Sequence, residues 1–127
     1  MRNSGFVLLI SMTVAAGPAL CDDAPALVAK GRDIAAQHCS RCHVIDDENR
    51  FKGISSTPSF PLLVNALADW QERFESFHTR LPHPSVIRFK GDPVDESQGV
   101  RMVPVELEYA DIKPLVAYAR SLKRPEK

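Results

Sequence analysis

Two thiols and an imidazole lie within five residues of each other in the stretch QHCSRCH, residues 37–43. Cys39 and Cys42 are two of only three cysteines in the 127-residue chain, and His43 follows the second of them directly. A cluster of this kind is typical of a disulfide or redox dithiol, of a zinc site, or of a c-type haem attachment. Each of these groups would fix how the chain folds around residues 37–43.

The N-terminal residues predict export. A single arginine precedes an uncharged, mostly apolar run, residues 6–16. The run is too short to span a bilayer as a helix, and its basic, apolar and small-residue regions are typical of a secretory signal peptide. We expect residues 1–21 to be the signal peptide and residues 22–127 to form one mature domain in the periplasm. We expect no membrane anchor at Cys21, because a lipidated cysteine follows a small residue and Leu20 stands there.

The charge balance argues against a nucleic-acid partner. The chain has 16 Lys and Arg against 16 Asp and Glu, and the mature chain, which loses one arginine, has a net charge of −1. A domain that binds nucleic acid needs a concentrated basic face. We therefore expect a different class of partner.

The residues around the cluster favour haem. A disulfide between cysteines so close in sequence closes a very small loop and adds little stability. A thioredoxin-like dithiol would follow a strand, whereas residues 25–37 carry apolar residues at helical spacing. A structural zinc site takes four ligands, commonly from two separated pairs, and no second C-x-x-C pair follows. The C-x-x-C-H spacing instead predicts haem c, with thioethers from Cys39 and Cys42 and with His43 as the proximal iron ligand.

Met102 is the predicted sixth ligand of the iron. A six-coordinate c-type haem takes a methionine sulfur or a second histidine on its other face. The other two methionines lie in the predicted signal peptide, so Met102 is the only methionine of the mature chain. It lies in a stretch punctuated by glycine and proline, residues 99–104, and not in a helical pattern. The alternative distal ligands are His78 and His83, which would give bis-histidine ligation.

With these residues in place, the chain resembles the class I monohaem cytochromes c over nearly all of its mature length. The resemblance rests on Gly31 in a first helix, the CSRCH motif, a Thr57-Pro58 segment, Met102 with Pro104, and a last helix over residues 111–122. It implies a small all-α domain of three or more helices around a covalently attached haem. It also implies that Gly31 and Tyr118 meet where the first and last helices cross. The Pro58 carbonyl would accept a hydrogen bond from the proximal imidazole.

Residues 59–78 predict a further helix. Apolar and aromatic side chains recur along one helical face at Leu63, Leu67, Trp70, Phe74 and Phe77. The proline-rich stretch 79–99 is longer than the family's usual connection, and we expect a short extended segment at residues 85–89. Because Pro114 is tolerated only in a first turn, the regular part of the last helix is expected to begin as late as Lys113.

The resemblance implies electron transfer. An iron with both axial positions filled has no open coordination site, so we expect an electron carrier and not an enzyme. Its partners would be redox proteins, a donor dehydrogenase or a terminal oxidase or reductase, met by a monomer in small, transient contacts. Three alternatives stay open: a haem-based enzyme or gas-binding protein with an open iron, a bis-histidine carrier, and a haem subunit of a larger dehydrogenase or oxidase complex.

We predict that the mature protein begins near Asp22, because signal peptidase removes a segment with this pattern. Mass spectrometry of the N-terminus of the exported holoprotein measures the start. A diacylglycerol-modified Cys21 at the mature N-terminus would contradict the prediction and make the protein a membrane-tethered one.

Overall fold

The structure is a computed structural model, and it describes residues 25–93 and 103–125. The helices are α1 (Pro25–Ile34), α2 (Phe60–Ala66), α3 (Trp70–Glu75) and α4 (Ile112–Ser121), and the strands are β1 (Ile87–Phe89) and β2 (Val105–Leu107). A π-helical turn, Ala35–Cys39, continues α1, and short 3-10 turns lie at Phe77–Thr79, His83–Ser85 and Tyr109–Asp111. No helix within the described ranges is long and apolar enough to span a membrane. The predicted signal peptide and Met102 lie outside the described residues.

α1 and α4 cross at Gly31, in a contact so close that only glycine fits. A Cβ atom added to Gly31 would lie 1.9 Å from the carbonyl oxygen of Pro114 and 2.8 Å from the Cβ of Tyr118. The predicted meeting of Gly31 and Tyr118 is therefore confirmed. α4 begins at Ile112, one residue before the predicted Lys113. Pro114 is tolerated as its third residue because N–H groups in a first turn have no partner within the helix.

Residues 59–78 form two short helices and not the single helix that the apolar stripe predicts. After α2, Leu67 leaves the helical region with φ −112° and ψ 131°. The side chain of Asn65 holds this end of α2 on the chain that follows α4, because it donates to the Leu122 carbonyl (3.1 Å) and accepts from the Arg124 N–H (2.8 Å). Both α2 and α3 contact α4. The stripe still lies in or against the core, at Leu63, Leu67, Trp70, Phe74 and Phe77.

β1 and β2 form a parallel two-stranded sheet, of which the sequence predicts only β1 as extended. In its register Phe89 lies opposite Leu107, and both side chains are buried. Arg88 forms an ion pair of 2.8 Å with Glu106 on the neighbouring strand. With three residues in each strand, the sheet leaves the domain mostly helical, so the predicted all-α class is confirmed.

We predict that Gly31→Ala destabilises the domain, although alanine is the better helix former by about 1 kcal/mol. The new methyl group would meet the Pro114 backbone, and overpacking of this kind costs about 1–3 kcal/mol. The midpoint of denaturant unfolding should fall with little change in the slope. Asp33→Ala on the exposed side of α1 is the matched control and should change the midpoint little. A Gly31→Ala variant at least as stable as the wild type would contradict the crossing geometry.

Candidate haem site

The C-x-x-C-H motif lies where α1 ends. The helix widens into the π-helical turn, and the N–H groups of Cys42 and His43 then both donate to the Cys39 carbonyl, at 3.1 and 2.9 Å. This tight turn brings the two thiols and the imidazole to the same end of the helix. The sulfurs are not bonded to each other; Cys39 packs against the core, whereas Cys42 is exposed.

The environment of Cys39 differs from that of a redox-active thiol. Burial, and then the proximity of Cys42, raises the pKa of the Cys39 thiol to about 12. A redox dithiol needs an attacking cysteine with a lowered pKa, because the thiolate is the nucleophile. The surroundings of Cys39 therefore disfavour the redox-dithiol alternative.

The His43 imidazole is held in one tautomer. Its Nδ1 lies 2.8 Å from the carbonyl oxygen of Pro58. Because a carbonyl oxygen can only accept, Nδ1 carries the proton and Nε2 keeps its lone pair. Iron-binding and zinc-binding histidines have this arrangement, in which the hydrogen bond fixes the ring and raises the basicity of the ligating nitrogen. The hydrogen bond predicted between His43 and Pro58 is present.

The segment after the motif wraps around the motif's backbone. Gly53, with φ +85°, lies so close that a Cβ there would be 3.0 Å from the carbonyl carbon of His43. The N–H of Ile54 donates to the Cys42 carbonyl at 2.9 Å. The buried Asn49 side chain accepts from two backbone N–H groups, at 2.7 and 3.0 Å, and donates to the His43 carbonyl at 3.3 Å. These contacts fix the backbone from which the imidazole extends.

A second imidazole lies opposite His43. The rings of His43 and His83 are nearly parallel, with 8° between their planes and 5.9 Å between their centres. The Nδ1 of His83 lies 3.0 Å from the Arg80 carbonyl, and burial lowers the pKa of His83. The ring of His78 instead packs edge-on against Phe89, with 5.1 Å between the ring centres.

An open groove of about 580 Å³ lies beside the motif, lined by Val44, Leu62 and residues 50–59. Three of its apolar side chains are largely exposed: Phe51 at 90 %, Leu62 at 57 % and Ile54 at 50 %. The groove shares Pro58 with the hydrogen bond that orients His43. The groove therefore lies next to His43.

The family model for cytochrome c matches residues 28–123, which include the whole motif and all four helices apart from the first turn of α1. This chain belongs to the cytochrome c family. The cytochrome accordingly carries a covalently bound haem c with its iron. A search of curated proteins and a search of solved structures found no match.

The donor set of the cytochrome fits haem c. Two unbonded thiols stand at the spacing that the two vinyl-derived thioethers require, and an imidazole whose Nδ1 is hydrogen-bonded to the Pro58 carbonyl follows them. The resemblance stated from the sequence and the family match thus agree with the chemistry of Cys39, Cys42 and His43. Met102, the predicted sixth ligand, lies outside the described residues.

The sequence predicts the contact of Pro58 with His43, but it does not predict the contacts of Asn49 and Gly53 with the backbone of the motif. Both lie in the polar stretch DDENRFKG, residues 46–53, whose composition is typical of turns. That composition could have predicted a turn there. It could not have predicted that the turn folds back onto the motif, because that contact depends on the path of the chain in three dimensions.

Asp46 connects the motif to the crossing helices. Its carboxylate accepts hydrogen bonds from the Tyr118 hydroxyl (3.0 Å), the Asn49 N–H (3.0 Å) and the Arg32 Nε (3.3 Å). Burial acts to raise the pKa of Asp46, but these hydrogen bonds and the charge of Arg32 outweigh it and lower the pKa. Burial, and then the Asp46 carboxylate, raises the pKa of Tyr118, so its hydroxyl stays protonated and donates.

We predict that Tyr118→Phe lowers the free energy of unfolding by about 1–2 kcal/mol, since it removes one of the three hydrogen-bond donors to the partly buried Asp46 carboxylate. The pKa of Asp46 is lower in the folded state than in the unfolded state. The stabilisation that its carboxylate provides is therefore complete above the unfolded-state pKa, and it is lost as the pH falls through the folded-state pKa. The difference between variant and wild type should therefore shrink from about pH 5 downward.

Tyr109→Phe is the matched control for this prediction. The Tyr109 hydroxyl also lies near a carboxylate, that of Asp92 at 3.3 Å, but it is exposed and far from the motif in sequence. Its removal should change stability little at any pH. Equal effects of the two substitutions would show that Tyr118 does not have the role assigned to it.

Proposed function

We propose that this cytochrome is an exported carrier of single electrons, in which Cys39 and Cys42 form the thioethers and His43 is the proximal ligand. The observation that carries the proposal is the orientation of His43. Its Nδ1 proton is committed to the Pro58 carbonyl, which leaves Nε2 free to bind iron. Haem c supplies a reversible one-electron change between ferric and ferrous iron.

The chain's own residues hold this group and limit its rearrangement. The turn that follows α1 supplies both sulfurs, and residues 46–58 hold the backbone of the motif from the other side. Since the hydrogen bonds of the site are present before any change in charge, little reorganisation is required when an electron arrives or leaves. This rigidity supports electron transfer over catalysis.

The iron of the proposed carrier is six-coordinate. The sequence predicts Met102 as the sixth ligand, and this stays a prediction. Among the described residues, His83 is the imidazole that lies opposite His43. Either ligand would fill the remaining axial position and leave no site for a substrate at the iron, so the carrier function does not depend on which of them binds.

Partner docking is proposed on the exposed side of the motif. Cys42, Arg41 and Lys52 are exposed there, and the open groove with Phe51 and Ile54 at its surface lies alongside. Electron-transfer partners meet in small and weak contacts, often with an apolar patch near charged side chains. We propose redox proteins, a donor dehydrogenase or a terminal oxidase or reductase, as the partners of a monomeric carrier.

Export to the periplasm is part of the proposal. It is supported by the apolar run at residues 6–16, and by the haem itself, because thioether attachment takes place outside the cytoplasmic membrane. The first residues of the exported holoprotein test it.

We predict that the reduced cytochrome reacts slowly or not at all with carbon monoxide at neutral pH, because a bond to iron must break first. It should exchange electrons rapidly with a small mediator. Stopped-flow absorbance measures both reactions. The same protein in denaturant, where the distal ligand is released, is the positive control and should bind carbon monoxide readily. Rapid stoichiometric binding by the native protein would favour the open-iron enzyme or gas-binding alternative.

A further inference from the structure

We propose that His83, and not Met102, is the distal ligand of the haem iron, so that this cytochrome has bis-histidine ligation. The inference rests on the proposed function, since it requires a covalently held, six-coordinate haem. Its basis is the placement of His83 relative to His43, two residues that are 40 positions apart in sequence.

The spacing of the two imidazoles is wider than that of the parallel ring pair Phe89 and Tyr109. Phe89 and Tyr109 are parallel to within 10° and have ring centres 4.0 Å apart, as expected for rings in contact. His43 and His83 are equally parallel, but their centres are 5.9 Å apart. The centres of the two imidazoles are therefore 1.9 Å further apart than those of Phe89 and Tyr109.

That separation matches two metal bonds. Two metal–imidazole bonds of about 2 Å each place the ligating nitrogens about 4 Å apart, which leaves about 1 Å for each ring from its nitrogen to its centre. The 5.9 Å between the ring centres would accommodate one iron bound by the Nε2 of each ring. Parallel ring planes, as His43 and His83 have, are a normal arrangement for two axial imidazole ligands.

The tautomer of His83 repeats that of His43. Its Nδ1 lies 3.0 Å from the Arg80 carbonyl, which can only accept, so Nδ1 carries the proton and Nε2 keeps its lone pair. His43 has the same arrangement with Pro58. A backbone carbonyl bound to the second ring nitrogen is the usual outer contact of a metal-binding histidine. Both rings are thus prepared to bind through Nε2.

His83 is held in place from α3. The Arg80 side chain forms an ion pair with Glu72 (2.7 Å) and a hydrogen bond with the Ser76 hydroxyl (3.2 Å), which fixes the residue whose carbonyl orients the imidazole. The ring of Phe77 meets His83 edge-on, at 86° and 5.6 Å between centres. A ligand needs this support, because an imidazole on an unsupported loop would lose rotamer freedom on binding.

His78 does not compete for the iron in this arrangement. Its ring lies edge-on to Phe77, Phe89 and Tyr109, and its Nδ1 is buried without a hydrogen-bond partner among the described residues. It has no ring contact with His43 in the described part of the chain. Of the alternatives that sequence leaves open, His83 is the one placed opposite the proximal imidazole.

Bis-histidine ligation would lower the reduction potential. A methionine sulfur raises the potential of a c-type haem relative to a second histidine. The carrier would therefore accept electrons from stronger reductants than a His/Met cytochrome does, and its redox partners would be those at the low-potential end of an electron-transfer chain.

Optical and low-temperature EPR spectra of the purified holoprotein test the proposal. The wild type should be low-spin in both oxidation states and should lack the far-red charge-transfer band of a thioether bound to ferric iron. His83→Met should introduce that band and raise the potential. His83→Ala should lose most of the low-spin signal, and added imidazole should restore it.

Three further variants separate the outcomes. Met102→Leu should keep the wild-type spectrum, and His78→Phe, which preserves the aromatic contacts of that ring, should also keep it. If His83→Ala does not retain haem, the wild-type and Met102→Leu spectra still decide the assignment. His38→Ala controls for loss of an imidazole beside the motif and should leave the distal ligand in place.

A far-red thioether band in the wild type that Met102→Leu removes would overturn the proposal for His83 and leave the carrier function intact. A five-coordinate wild-type iron that binds carbon monoxide at once would overturn both the carrier function and the distal assignment. The two failures are therefore distinguishable by the spectrum of the wild type alone.

Discussion

The contact between Gly31 and the Pro114 carbonyl is the constraint on which the rest of the domain depends. It joins the first and last helices so closely that an added Cβ would lie 1.9 Å from the carbonyl oxygen. The same crossing directs the Tyr118 hydroxyl to Asp46, three residues after His43. A contact between the two ends of the domain thus fixes the position of the haem motif, and a change at the crossing would displace His43.

Around this crossing, the contacts that position His43 are made by backbone groups, so the orientation of its ring does not depend on long side chains. The Pro58 carbonyl orients the imidazole, the Ile54 N–H binds the motif, and Gly53 permits the close approach because of its positive φ. Preorganised polar groups of this kind reduce the reorganisation that accompanies electron transfer.

The parts that follow from local sequence were predictable, and those that depend on the path of the chain were not. The C-x-x-C-H spacing, the Gly31 contact and the Pro58 hydrogen bond each follow from a motif or a family pattern. The break at Leu67 does not, because the apolar stripe continues through it and the Asn65 contacts that accompany it reach residues more than 50 positions away. β2 escapes prediction for the same reason, because it is defined by its pairing with β1.

The distal ligand shows the same limit most clearly. Counting donors in the sequence favours Met102, because the other two methionines lie in the predicted signal peptide and the family position matches. Counting cannot show which donor faces the iron, which is a matter of ring direction, distance and tautomer. His83 has all three: a ring parallel to His43, a separation of 5.9 Å between centres, and an Nδ1 committed to a backbone carbonyl. Since either ligand would saturate the iron, the choice between them would change the potential and the class of redox partner, but it leaves electron transfer as the proposed function.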